Sequence, residues 1–278
     1  MAPISEHPEF NASEPRSDGQ APKLHFLYHA LSEGLSGASY TLTVDQFRSH
    51  VCVFKSARNH DGFIFWPDVT FDDGHISNLK QGLPVLEEYG FSAQFFITVG
   101  WTGKRKGYMG WSDLRMLAER GQTIGSHGWS HSFLTDCSQR ELNQELVASR
   151  LMLEDKLGIE VRTMACPGGR YSKRVLAACK EAGYSRVYTS APQIQKNLSE
   201  FLVGRVNARS NMTADVVSQL LLPHSKALHT LERRYFLKKL AKNLLTNRLY
   251  DALWWKFNSQ RGADTDLERD EDIARYQQ

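Results

Sequence analysis

Short runs of apolar and β-branched residues alternate with longer segments of helical periodicity from Leu24 onward. Apolar runs of this length predict buried strands. They lie at residues 24–28, 62–71, 92–99, 122–125, 160–166, 185–189 and 202–206. The segments between them and one segment after them repeat apolar residues at helical spacing and predict helices, over residues 44–56, 78–89, 112–120, 139–157, 172–183 and 213–222.

Repeated alternation of strand and helix predicts an α/β protein with a parallel sheet and helical crossovers. Six or seven such units over about 200 residues fit a closed or nearly closed (β/α) barrel better than an open sheet. Periodicity alone leaves the doubly wound sheet as an alternative, because both folds use the same local units.

The character of the chain changes at both ends. Residues 1–22 are rich in Pro, Ser, Glu and Gly and are expected to be a disordered leader. The barrel is assigned to residues 23–225. A basic amphipathic helical extension is predicted over 226–258, and a disordered acidic tail over 259–278.

Composition limits the kinds of binding partner and the cellular compartment that we expect for this protein. The 278 residues carry a formal charge of +3 and give no reason to expect nucleic acid. No apolar run approaches the roughly 18 residues of a membrane span, and the first residues lack the pattern of a secretory signal. The four cysteines show no paired spacing and are expected to be reduced thiols. We therefore expect a soluble cytoplasmic protein.

Two motifs at strand ends could bind a cation. Asp72 and Asp73 follow the strand that ends at Phe71, and adjacent residues there point in opposite directions, so the two carboxylates can do different work. His127 and His131 follow the next strand but one, four residues apart, and are predicted to share one face of a helical turn. Two imidazoles and one carboxylate leave open positions on a cation, as catalytic sites do.

A third motif follows another predicted strand. Pro167, Gly168 and Gly169 form a turn in which backbone N–H groups can approach a ligand closely. All three motifs lie at the C-terminal ends of strands, the end of a (β/α) barrel where active sites are built.

At these residues the sequence resembles the polysaccharide deacetylase (NodB-homology) family, carbohydrate esterase family 4, over roughly residues 24–222. Further similar stretches are residues 83–90, 93–96 and 111–114. The resemblance implies a distorted barrel of about seven strands and metal-dependent hydrolysis of an N-acetyl group. It implies that Asp73, His127 and His131 bind the metal, expected to be Zn²⁺ with Co²⁺ or Ni²⁺ as alternatives.

The same resemblance implies two further roles. Asp72 would be the general base, and the backbone N–H of Gly168 would donate to the oxyanion. The family's third motif has an arginine where this chain has Ala165, and the Asp that usually holds that arginine is also missing. Arg205 or Arg170 could supply the charge from another loop, and Arg205 is the preferred orienting residue.

The general acid has no clear counterpart. The family uses a histidine in a Leu-x-His motif, whereas His224 in Leu222-Pro223-His224 follows a predicted helix and suits a helix end. Asp72, once protonated, could return the proton instead. Trp101, Tyr108 and Trp111 could stack on sugar rings or serve as core aromatics.

The resulting hypothesis is an N-deacetylase of an amino-sugar glycan, such as an exopolysaccharide, lipo-oligosaccharide or envelope intermediate. An amidase acting on a non-sugar amide and an inactive glycan-binding relative remain alternatives. Residues 226–258 either pack on the barrel or lie on an anionic membrane, which would make the protein peripheral at the inner membrane face.

Overall fold

The computed structural model describes residues 22–59, 65–197, 199–222 and 226–244. The predicted leader, apart from Pro22, the predicted acidic tail, and residues 245–258 of the predicted extension lie outside the described residues. The predicted domain boundaries therefore stay predictions.

Eight strands form one parallel sheet that curves into a nearly closed barrel. In chain order they are β1 (Lys23–Tyr28), β4 (Trp66–Phe71), β5 (Ala93–Ile97), β6 (Thr123–Ser126), β7 (Thr163–Ala165), β8 (Arg186–Tyr188), β9 (Leu202–Val203) and β10 (Arg205–Asn207). The second and third strands of the chain belong to another sheet. A parallel two-stranded sheet of β2 (Ala30–Ser32) and β3 (Thr41–Thr43), which was not predicted, lies outside it. The predicted barrel is confirmed, with eight strands where about seven were expected.

The last two strands bring the two sides of the barrel together. β9 pairs with β8, and β10 pairs with β1 on the other side. Only Gly204 separates β9 from β10, so one short stretch of chain hydrogen-bonds to both edges of the sheet. This arrangement carries Arg205 to the middle of the barrel.

Helices follow most strands and cover the outside of the barrel. They are α1 (Val44–Asn59), α2 (Leu83–Tyr89), α3 (Trp111–Glu119), α4 (Gln139–Asn143), α5 (Ser149–Leu157), α6 (Lys173–Glu181), α7 (Ala214–Leu221) and α8 (Lys226–Leu244). Wider π-helical turns at Asn78–Gly82 and Gln144–Ala148 join α2 and α5 to the residues before them. Within the described ranges, every helix is too short or too polar to traverse a bilayer.

Side-chain caps set several helix starts. Ser138, Ser172 and Thr213 each precede a helix and accept a hydrogen bond from the backbone N–H three residues later. These contacts satisfy N–H groups that have no partner inside the helix. The helices consequently begin within a residue or two of the positions that the sequence predicts.

The core is aromatic where β1, β4 and β5 meet the helices. Phe71 and Phe95 stack with ring centroids 5.1 Å apart, and Phe47 of α1 packs edge-on against Phe71 at 5.4 Å. All three side chains are fully buried. This packing makes the ends of β4 and β5 a firm base for the loops that follow them.

Candidate metal centre

The predicted motifs meet at one end of the barrel because its strands are parallel. Asp72 and Asp73 follow β4, and His127 follows β6. The turn at Pro167–Gly169 follows β7, which is the neighbour of β6. Side chains that are far apart in the sequence therefore surround one opening, the mouth of the barrel, at the C-terminal ends of its strands.

Asp73, His127 and His131 converge on one small volume. The Oδ1 atom of Asp73 lies 3.4 Å from Nε2 of His127 and 3.4 Å from Nε2 of His131. The three candidate ligand atoms all lie within 4.8 Å of one another. Tetrahedral ligands at the usual zinc distances are about 3.3 Å apart, so this donor set fits one divalent cation.

The backbone is unusual at two of these three residues. Asp73 has a φ of 71° and His131 a φ of 65°, and they alone have left-handed φ among the described residues other than glycine. This conformation costs free energy in L-residues and concentrates at functional sites. The predicted helical turn from His127 to His131 is wrong: the segment is an irregular loop that leaves the two rings 5.0 Å apart.

A hydrogen bond orients His127. Its Nδ1 lies 2.9 Å from the carbonyl oxygen of Ala165 on β7, which assigns the proton to Nδ1 and leaves Nε2 as the ligand atom. Burial, only partly opposed by the charge of Asp72, lowers the pKa of His127 to about 3. The imidazole is consequently neutral near pH 7, as a metal ligand must be.

Asp72 forms a bidentate ion pair with Arg205. The Nη1–Oδ1 and Nη2–Oδ2 distances are 2.6 and 2.8 Å, and both side chains are buried. Burial acts to raise the pKa of Asp72, but the Arg205 guanidinium and His127 outweigh it, and the pKa lies below its ordinary value. Asp72 is therefore a carboxylate, and its Oδ2 lies 3.8 Å from Nε2 of His127.

The other donors of Arg205 also have partners inside the barrel. Its Nε donates to the carbonyl oxygen of Thr189 at 3.1 Å, and its Nη1 donates to the hydroxyl oxygen of Thr70 at 3.2 Å. The alternative, Arg170, lies instead 3.8 Å above the ring of Phe133. Of the two candidate arginines, Arg205 is the one next to Asp72.

Glu145 holds the histidine loop and was missed by the sequence reasoning. Its buried carboxylate accepts hydrogen bonds from the backbone N–H groups of Trp129, at 2.7 Å, and Ser130, at 3.1 Å. The hydroxyl of Ser130 also donates to it at 2.5 Å. A Cβ atom at Gly128 would lie 2.6 Å from Oε2 of Glu145, so glycine there makes room for this carboxylate.

A signal for Glu145 was present in the sequence. The residue shares the buried face of the 139–157 segment with Leu142, Leu146 and Leu153. A carboxylate on the apolar face of a helix needs a partner, because burying an unpaired charge is costly. The loop just before this helix supplies that partner.

Gly168 lies at the mouth with its neighbours packed around it. It is exposed, and a Cβ atom added to it would lie 2.6 Å from the ring of Phe133. Cys166 is buried, and burial raises the pKa of its thiol, as expected of a packed thiol. All four cysteines are free thiols.

The three predicted substrate-binding aromatics differ in position. Trp101 stacks on the ring of His131 with centroids 5.2 Å apart, and Tyr108 packs edge-on against Trp101 at 4.8 Å. Trp111 begins α3 and packs against the hydrophobic core. Trp101 and Tyr108 therefore border the site. His224 lies outside the described residues.

Comparisons with known proteins find similarity to polysaccharide deacetylases. The profile of the polysaccharide deacetylase family matches residues 68–187. YxkH of Bacillus subtilis, whose name assigns it to the polysaccharide deacetylases, is 27% identical over 155 residues, which are 56% of this chain and 50% of that protein. The peptidoglycan N-acetylglucosamine deacetylase PgdA of Listeria monocytogenes is 30% identical over 108 residues, which are 38% of this chain and 22% of that protein.

The fold has a solved counterpart. The Streptococcus pyogenes deacetylase PplD, solved in complex with acetate, superposes with a TM-score of 0.66 at 19% identity, over 73% of this chain and 100% of that chain. The match to YxkH spans half of that protein, and the match to PgdA about a fifth of it. Residues 68–187, which contain the aspartates, both histidines and the glycine turn, match the polysaccharide deacetylase family.

Proposed function

We propose that this protein is a divalent-metal-dependent N-deacetylase of an amino-sugar glycan, such as an exopolysaccharide, lipo-oligosaccharide or envelope intermediate. One observation carries the proposal. The ligand atoms of Asp73, His127 and His131 lie within 4.8 Å of one another, directly beside the buried carboxylate of Asp72. A cation site next to a spare base suits amide hydrolysis at neutral pH, because the cation activates water and the base takes its proton.

Asp73, His127 and His131 would hold the cation. The mixed nitrogen and oxygen donor set suits Zn²⁺, and also Co²⁺ or Ni²⁺. When bound, such a cation polarises the acetyl carbonyl and lowers the pKa of water. The hydrogen bond from His127 to Ala165 keeps the ring oriented for this purpose.

Asp72 acts as the general base and Arg205 as its positioning residue. Each Asp72 oxygen accepts one hydrogen bond from Arg205, and lone pairs remain to take the proton of the attacking water. The fixed geometry of the pair aims the carboxylate toward the candidate ligands. Its depressed pKa keeps Asp72 ionised and ready to accept a proton.

In the remaining steps, groups of this chain accept and return the proton and stabilise the oxyanion. Water adds to the acetyl carbon, its proton passes to Asp72, and the N–H of Gly168 donates to the oxyanion. The C–N bond then breaks, and Asp72 returns the proton to the leaving nitrogen. Acetate and a free amino sugar result. Trp101 and Tyr108 would stack on the sugar, whereas Trp111 packs against the hydrophobic core.

Acetate release from a panel of N-acetylated oligosaccharides tests the proposal. Asp72→Asn keeps the side-chain volume and is expected to lose at least about 100-fold in kcat/KM. Asp155→Asn, on the exposed face of α5, is the matched control and should keep wild-type activity. Thermal unfolding confirms that each variant folds. Equal release by wild type and Asp72→Asn would remove Asp72 as the base.

The same panel separates the alternative functions. A non-sugar acetamide series added to it would reveal an amidase, because release would then not depend on a sugar. A protein that binds the glycans but releases no acetate, with or without added Zn²⁺, Co²⁺ or Ni²⁺, would be an inactive glycan-binding relative.

A peripheral position at an anionic membrane is a further part of the proposal. Phe236 and Leu237 of α8 are 63% and 59% exposed, and the exposed Arg233 and Arg234 adjoin them. Apolar and basic side chains together favour an anionic bilayer surface. Phe236→Asp should reduce co-sedimentation with anionic vesicles. Leu151→Asp, 51% exposed on α5, should not, and equal loss in both would contradict the assignment.

A further inference from the structure

Asn207 is the last residue of β10 and follows Arg205 by two positions. Side chains two residues apart on a strand point to the same face, with their backbones about 7 Å apart. Arg205 points into the barrel, where its guanidinium contacts Asp72. Asn207 therefore shares the inward face with Arg205 and lies nearer the mouth, because β10 runs toward it.

The strand register places Asn207 in one row with Leu27 of β1 and Thr70 of β4. Leu27 and Thr70 are each 1% exposed, whereas Asn207 is half-buried. Of these three residues, Asn207 is thus the one that an incoming ligand can reach. Asp72 follows Thr70 by two residues, so the proposed base lies in the next row toward the mouth.

The side-chain oxygen of Asn207 lacks a donor. Its Oδ1 is buried and has no hydrogen-bond partner among the described residues. Leaving a buried acceptor unpaired costs free energy, and native proteins rarely do so. Nδ1 of His29, which follows β1, the strand beside β10, is also buried and without a partner in the described ranges. Unpaired polar atoms that border a candidate active site are available to a bound ligand.

The chemistry of the missing partner follows from the atom that lacks it. A side-chain amide oxygen only accepts hydrogen bonds, so the partner is an N–H or O–H group. In the proposed reaction the attacked acetyl carbon lies beside the water that Asp72 deprotonates, and the amide nitrogen is bonded directly to that carbon. The scissile N–H is therefore the substrate donor nearest to the reacting centre, since the sugar hydroxyls are several bonds further away.

A neutral amide also suits this position better than a carboxylate. An acidic side chain here would compete with Asp72 for the guanidinium of Arg205, because arginine pairs strongly with carboxylates. Asparagine offers an acceptor of similar shape without the charge. The ion pair between Arg205 and Asp72 is consequently left undisturbed.

We propose that Asn207 is a specificity-determining residue whose Oδ1 accepts a hydrogen bond from the N–H of the scissile acetamide. It selects N-acetyl over O-acetyl groups, because an ester has no N–H and would leave Oδ1 buried without a donor. This inference rests on the proposed deacetylase function and names the residue that recognises its amide bond.

Two matched substrates test it. One is the N-acetylated oligosaccharide with the highest acetate release in the panel, and the other has equal length and an O-acetyl ester in place of the acetamido group. The N-acetyl-to-O-acetyl ratio of kcat/KM is measured for each variant, so the concentration of folded enzyme cancels. Asn207→Leu removes the acceptor at similar volume and should lower this ratio about 10-fold or more.

Two further variants locate the effect. Asn207→Asp keeps an oxygen acceptor and should hold the ratio within about 3-fold of the wild-type value. Asn143→Leu makes the same exchange at an exposed position of α4 and should leave the ratio unchanged. If Asn207→Leu slows both reactions alike and keeps the wild-type ratio, Asn207 has only a structural role and the proposal is overturned.

The outcomes separate the two proposals. No release from the N-acetylated substrate by the wild type would remove the deacetylase. Calorimetric binding of the two substrates then decides the role of Asn207 on its own, and it also decides the case in which Asn207→Leu releases acetate from neither. Asn207→Leu should lower the N-acetyl-to-O-acetyl ratio of affinities, and an unchanged ratio would overturn the role.

Discussion

Arg205 and Asp72 share a buried environment in which neither charge can be removed alone at low cost. Each atom of the guanidinium that can donate is paired, and both carboxylate oxygens accept from it. Breaking such a pair leaves an uncompensated buried charge, which typically costs about 3–5 kcal/mol. The ion pair therefore contributes both to the stability of the barrel and to the position of its candidate base.

Arg205→Gln should lower the free energy of unfolding by about 3–5 kcal/mol, since Asp72 loses its partner. The double variant Asp72→Asn/Arg205→Gln should recover part of that loss, because no lone charge remains, yet should stay inactive. Urea unfolding and acetate release measure the two effects. Recovery of activity in the double variant would contradict both assigned roles.

Glu145→Gln should weaken metal binding about 10- to 100-fold, as changes behind metal ligands commonly do. The amide would turn an N–H₂ group toward backbone N–H groups that now donate to the carboxylate, and the histidine loop would lose its fixed shape. Competitive titration of Zn²⁺ measures the affinity.

Glu141→Gln is the control for that experiment. Glu141 is exposed one helical turn earlier and accepts a bond from Ser138 at the start of α4. Its substitution perturbs the same helical segment without touching the loop. Equal loss of Zn²⁺ affinity in both variants would assign the effect to the helix and not to the loop contact.

At the scale of elements, strand and helix positions follow from local sequence. The predicted strand at 24–28 and helix at 139–157 agree with the structure within a residue. The spacing of apolar residues and helix caps such as Ser138 are local features of the sequence, and they determine where these elements begin and end. Only the C-terminal side of the predicted strand at 62–71 can be compared, and it ends at Phe71 as expected.

Loop geometry is where local reasoning fails. The spacing of His127 and His131 suggested a helical turn, but Gly128 has a φ of 82° and His131 a φ of 65°. Contacts to Glu145, distant in the sequence, outweigh the local preference. Arg205 was the preferred partner of Asp72, but it was expected on a loop. It is instead the first residue of the strand β10, and its full burial could not be read from the sequence.

His50 links three elements and should make stability depend on pH. On α1, it lies 3.0 Å from the Tyr28 hydroxyl of β1 and 2.8 Å from the Met212 carbonyl oxygen just before α7. Burial lowers the pKa of His50 below its ordinary value of 6.5, despite the bond to Met212. The folded protein thus holds it neutral where the unfolded chain binds a proton.

The free energy of unfolding should consequently fall as the pH drops below about 6.5, by up to about 1.4 kcal/mol per pH unit from this group until the folded pKa is reached. Urea unfolding at pH 7.5, 6.5 and 5.5 measures the slope. His50→Gln removes the titrating group and should flatten it. The difference between the two slopes isolates His50 from the other histidines, and identical slopes would contradict the assignment.

At the scale of the whole molecule, α8 connects the barrel to the residues beyond it. Its first turns are part of the core: Leu228 is 3% exposed, and Ala227 and Leu231 pack against the same cluster. Further along, Phe236, Leu237 and Leu240 are exposed. The helix therefore has a packed start and an open continuation, and the predicted boundary at residue 225 falls just before the packed part.

Leu228→Ala should lower the free energy of unfolding by about 2–5 kcal/mol, because it leaves a cavity between α8 and the barrel. Leu237→Ala, 59% exposed on the same helix, should change it by no more than about 0.5 kcal/mol. A chain ending at residue 225 should be destabilised at least as much as Leu228→Ala, since it loses the whole contact. If that shortened chain instead has the same urea midpoint of unfolding as the wild type, residues 23–225 form an independent domain and α8 does not contribute to its stability.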